Sequence, residues 1–100
     1  GLVESLHVKA HVPSLLVLAE REPHVLLAHE VRAIKKCLSL NEVVSNALVP
    51  PPASVIEAVA ALVDVCQGLS ELEVGDVIQA AEIAQLSAAL SRVGELLWPT

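Results

Sequence analysis

The sequence predicts an all-α protein: a small bundle of four to six helices with a long C-terminal helix. Three observations carry that expectation. Apolar residues recur at three- and four-residue spacing through most of the chain. Residues that start and stop helices bracket those stretches. Only residues 6–12 alternate as a strand would, and nothing later in the chain offers that segment a partner. An α+β arrangement, with a hairpin drawn from residues 5–20, is the alternative.

Residues 1–22 read two ways. Leu6, Val8, Ala10 and Val12 alternate with His7, Lys9 and His11, whereas Leu2, Val3, Leu6 and Ala10 also form one helical stripe. Pro13 interrupts either pattern, and Ser14 to Arg21 then follow as a short helix or a second strand. Residues 24–38 form the first clear helix. Pro23 suits its opening turn, and Leu27, Val31, Ile34 and Leu38 repeat at helical spacing beside Leu26 and Cys37. His24, Arg32, Lys35 and Lys36 occupy its other face, and cations near a helix C-terminus suit the dipole.

Ser39 and Glu42 have the spacing of a capping box, which opens a helix over 40–49. Pro50-Pro51-Pro52 then lacks backbone donors and makes a turn between two halves of a single domain spanning 1–100. Neither half is large enough to bury a core of its own. Ser54 and Glu57 repeat the box and open a helix over 54–67, with Gly68 placed to end it. Only Glu57, Asp64 and Gln67 are polar across most of that helix, so it belongs at the centre of the bundle or against a partner. Gly75, Asp76 and Gln79 mark a third start, for a helix over 76–97 closed by Pro99.

Composition excludes several functions. The core must be built from Leu, Val, Ile and Ala, because Phe, Tyr and Met are absent and Trp98 is the sole aromatic. Single-stranded nucleic acid needs stacking platforms, and a net charge of −6 repels a phosphate backbone, so no nucleic-acid partner is expected. No apolar run reaches the length of a membrane span, and the opening residues lack the pattern of a signal peptide. Two cysteines are too few for a disulfide scaffold. Together these point to a soluble cytoplasmic protein with reduced thiols. The charge is uneven: Lys9, Arg21, Arg32, Lys35 and Lys36 precede residue 41, while Arg92 is the only cation after it. A chain of round length without Phe, Tyr or Met also suits a designed origin, although Pro50-Pro51-Pro52, Cys37 and Cys66 run against idealised design.

No P-loop, dinucleotide fingerprint, nucleophile elbow, EF-hand or zinc-finger spacing is present, and no catalytic residue is assigned. Four groups carry what chemistry the sequence offers. His7 and His11, four apart, have a two-ligand spacing for zinc but need further ligands from the fold. Glu30 falls beside Ile34 and Cys37 at the edge of an apolar stripe, where desolvation raises a carboxyl pKa; such a group is a candidate acid or base. Cys37 and Cys66 each sit on an apolar stripe, as small packing groups or as the two ends of a bridge. Last, the C-terminal helix carries two apolar lines. Ile83, Leu86, Leu90, Val93 and Leu97 form a coiled-coil-like seam. Ala80, Ala84 and Ala88, beside Ser87 and Ser91, form a row across which another helix backbone can approach closely.

The leading expectation is therefore a structural or interaction module that associates with a protein partner, a second copy included, through those eight residues. A histidine-based metal or acid–base site is the first alternative, and a carrier of small apolar ligands is the second.

Overall fold

The computed structural model describes residues 8–97, with side chains from residue 11 onward. Five helices follow in order: α1 Val8–Glu20, α2 Ala28–Cys37, α3 Leu40–Ser45, α4 Ala53–Leu69 and α5 Ala80–Leu97. Among the described residues there is no strand, only an isolated antiparallel bridge between Val25 and Val77. The protein is all-α, with an 18-residue C-terminal helix. The alternative hairpin does not form, because residues 8–20 are helical.

α4 is the hub of the bundle and packs against α2, α3 and α5, while α1 packs against α2 and α5. Its sequence explains that position. Val55, Ala58, Val59, Leu62, Val63, Cys66 and Leu69 step by three or four residues and are all buried. Onto them converge Leu15 and Leu18 from α1, Ala33 and Ile34 from α2, Leu40 from α3, and Leu86, Leu90 and Val93 from α5 in one core. The radius of gyration is 13.0 Å, the value of about 13 Å that a compact chain of this length has. A wholly aliphatic core suffices for that.

Pro13 stands inside α1 instead of breaking it. It cannot donate to the carbonyl of Lys9, and its ring crowds that carbonyl, which costs a helix about 3 kcal/mol. The helix continues because Val12, Leu15 and Leu18 are buried on one face while Pro13 points outward. Burial of three aliphatic side chains, about 1.5–3 kcal/mol each, exceeds the defect.

Helix starts also differ from the local signals. Ser39 precedes α3 but makes no cap; its hydroxyl donates backward to the Lys36 carbonyl at 3.0 Å. α3 itself stops at Ser45, well short of residue 49. Pro52, not Ser54, stands at the N-cap of α4, and α4 runs through Gly68 to Leu69, whose side chain is buried. The Ser70 hydroxyl closes that end by donating to the Gln67 carbonyl at 2.8 Å.

Residues 73–79 form a loop instead of the first turn of α5. The Asp76 carboxylate accepts the Glu73 amide at 2.8 Å, and Gly75 between them has φ +94°, a region L side chains seldom occupy. Asp76 thus caps a turn, and α5 begins only at Ala80. This loop is tied to the α1–α2 connection by three backbone bonds. The Leu26 amide donates to Asp76 at 2.9 Å, the Gly75 amide to Leu26 at 2.9 Å, and the Ile78 amide to His24 at 3.0 Å. Leu26 and Ile78, one from each loop, are buried beneath that pairing.

Candidate functional site

The α1–α2 connection holds the most organised polar cluster. α1 ends as the Arg21 amide donates to the Val17 carbonyl at 3.1 Å. The chain then turns through the cis peptide Glu22-Pro23, and Pro23 lies outside α2. α2 starts at Ala28 because Glu30 reaches back: its Oε1 accepts the Leu27 amide at 2.9 Å. The same oxygen accepts Arg21 Nη2 at 2.6 Å, and that nitrogen also donates to the Val25 carbonyl at 2.7 Å. One guanidinium thus joins the end of α1, the connection and the start of α2. His24 adds a further tie, its Nδ1 donating to the Leu18 carbonyl at 3.2 Å.

Glu30 is fully buried, while Arg21 retains 31 % of its side-chain exposure. Burial pushes the Glu30 carboxyl upward. The Arg21 hydrogen bond, the Leu27 amide and the charges of Arg21 and His29 outweigh it and hold the carboxyl below its ordinary range. The upward shift expected from its place on the stripe is corrected accordingly: the sequence put Glu30 in the apolar environment but did not supply Arg21. In return, the carboxylate raises the pKa of Arg21. A carboxylate stabilised as an anion and sealed from solvent is a structural anchor, and it is badly placed to exchange protons with a substrate. Its second oxygen, Oε2, is buried without a hydrogen-bond partner among the described residues, and His29 Nε2 lies 3.8 Å from it.

Cys37, the last residue of α2, and Cys66 on α4 are both free and fully buried. Their thiols are side-chain neighbours across α2 and α4. That contact holds Cys37 below the usual thiol range against the opposing effect of burial, and it pushes Cys66 far up.

The two lines of α5 separate. Ile83, Leu86, Leu90 and Val93 are buried in the chain's own core, and Leu97 is half-buried against it. Ala80, Ala84 and Ala88 are exposed. Of the eight residues expected at an interface, these three remain free to meet another chain. Sequence reasoning missed a second exposed apolar group, Leu27, Val74 and Val77, at the paired loops. Leu27 stands on the stripe read for residues 24–38 but is exposed, because α2 begins only at Ala28; Val74 and Val77 lie on no periodic stripe, and no local signal distinguishes them from buried loop residues such as Ile78. Leu48 and Val49, before the prolines, are also exposed.

Of the histidine pair, His7 lies outside the described residues, and His11 is half-buried on α1. Among the described residues, no group of three or more His, Cys, Asp or Glu could hold a metal ion. A recess of about 400 Å³ lies at α3, lined by Ser39, Glu42, Val43, Asn46, Ala47 and Leu48. Its rim is polar and exposed at Ser39, Glu42 and Asn46, unlike the enclosed apolar pocket an apolar ligand prefers. No described helix is long and apolar enough to cross a membrane.

Comparison with protein-family models, curated proteins and solved structures returns no match.

Proposed function

We propose that this protein is a helical interaction module that binds another protein by helix–helix association, with a second copy of itself as the first candidate partner. The observation that carries the reading is the exposed row Ala80, Ala84 and Ala88 on α5, left bare once the leucine-rich seam of the same helix is buried. Residues four apart form a ridge along a helix, and when they are small a second backbone approaches closely and interdigitates with little loss of side-chain entropy. The exposed Val77, just ahead of α5, adds apolar area at one end of the row. A row of apolar side chains along one helix face is the kind of surface that a partner can cover.

Molar mass measured by light scattering over a concentration series, with and without chelator, tests this. Self-association predicts a rise from 10.5 kDa toward twice that value, unaffected by chelator. Ala84→Arg should return the mass to the monomer with an unchanged circular dichroism spectrum, because the site is exposed. A monomer at every concentration would remove the second copy as the partner. A mass that falls only with chelator would favour the His7–His11 zinc reading instead.

A further inference from the structure

We propose that Cys37 and Cys66 are a redox pair that closes, within the folded bundle, into an intramolecular disulfide joining α2 to α4, with hydrogen peroxide as the two-electron oxidant. The only two cysteines of the chain lie on different helices, and the fold brings them together. α2 packs on α4, both side chains are fully buried in the same core, and the two thiols are side-chain neighbours. A disulfide needs neighbouring Cβ atoms, and two cysteines that are side-chain neighbours on packed helices meet the first requirement for one. No other cysteine competes for either sulfur.

Position assigns the roles. Cys66 lies inside α4, with helix on both sides of it. Cys37 is the final residue of α2, where helix ends open most easily, and peroxide is nearly as small as water, so Cys37 is the sulfur that meets the oxidant. The Cys37 thiolate attacks one peroxide oxygen; the O–O bond breaks, and the departing hydroxide takes up the thiol proton to give water and a sulfenic acid. The Cys66 sulfur then attacks the Cys37 sulfur. The S–S bond forms, the S–O bond breaks, and hydroxide leaves with the Cys66 proton as a second water. Two thiols and one peroxide become one disulfide and two waters, with the sulfur pair oxidised by two electrons.

Closing the bond would enclose α3 and the proline triplet in a loop between residues 37 and 66. It restricts the unfolded chain over that whole stretch, so the oxidised form should be harder to unfold. The test uses the full chain, treated with hydrogen peroxide under native conditions, quenched, unfolded and alkylated. The expected result is a monomer lighter by two hydrogens, with no alkylatable thiol and a cross-linked peptide pair containing Cys37 and Cys66. Dithiothreitol should restore both thiols, the helical circular dichroism should persist, and the urea midpoint should be higher in the oxidised form. Two thiols still alkylated after peroxide, sulfinic acid at Cys37, or disulfide-linked dimers would each overturn the proposal. Cys66→Val supplies an independent check: without its partner, Cys37 should halt at the sulfenic acid and be trapped by dimedone. A wild-type protein that gives the same dimedone adduct would count against it.

Discussion

Replacing Glu30 by alanine should destabilise the bundle more than any other single loss of a charged side chain. The substitution removes the acceptor of two hydrogen bonds, from Arg21 at 2.6 Å and from the Leu27 amide at 2.9 Å. It also empties a fully buried site. A hydrogen bond to a charged group contributes about 1.5–3 kcal/mol and a lost cap about 1 kcal/mol. Arg21 keeps a third of its exposure, so water compensates part of its loss and the pair counts at the low end of that range. About 3 kcal/mol in total is expected at neutral pH, which for a domain of this size lowers the melting temperature by roughly 15 °C.

The same carboxylate sets a pH dependence. Its pKa is lower in the folded protein than the ordinary value of 4.5. Its contribution is therefore complete above that value and is lost as pH falls through the folded pKa. Urea unfolding followed by circular dichroism, at neutral pH and at about pH 3, reads both effects. The gap between wild type and Glu30→Ala should shrink in acid, because protonation removes the ion pair from the wild type as well. Glu30→Gln, which keeps the shape and the acceptor for Leu27, should lose less at neutral pH and show a flatter acid profile. A Glu30→Ala variant within about 0.5 kcal/mol of wild type, or a gap that does not change with pH, would refute the assignment of Glu30 as the anchor of the α1–α2 connection.

Two further outcomes follow from the packing. Leu86→Ala empties a site on α5 with no solvent exposure and should cost about 3 kcal/mol, read from the urea midpoint; a loss below about 1 kcal/mol would mean that α5 does not close the core as described. Pro13→Ala should act in the other direction. It restores the donor and relieves the crowding of the Lys9 carbonyl at an exposed position, raising stability by about 1–2 kcal/mol after the greater freedom of the unfolded chain is allowed for. Unchanged or reduced stability would show that the helix does not run through residue 13.

Much of the bundle is legible in the sequence because helical periodicity is local. The stripe Val55, Ile56, Val59, Leu62, Val63, Cys66 and the seam Ile83, Leu86, Leu90, Val93, Leu97 can be read before any fold is known; all are buried except Ile56, which is exposed, and Leu97, which is half-buried. Capping signals were less faithful. Ser39, Ser54 and Asp76 all sit three residues before Glu or Gln, yet none caps the helix it was assigned to. A short polar side chain satisfies whichever backbone group lies nearest, and neighbouring prolines and turns decide which that is. Glu30 was half legible: its place on the stripe is visible, but its partner Arg21 comes within reach only through the turn between them.

What the sequence determined by itself is the helical class, the aliphatic core and the face each long helix turns inward, since all three follow from side-chain spacing along a continuous backbone. The tertiary structure alone decided the rest. It let α1 continue through Pro13, joined Leu26 to the Gly75–Asp76 turn, brought the Cys37 and Cys66 thiols together, and left Ala80, Ala84 and Ala88 outside. Each depends on segments distant in the chain meeting in space, and the free energy that settles such meetings belongs to the packed whole.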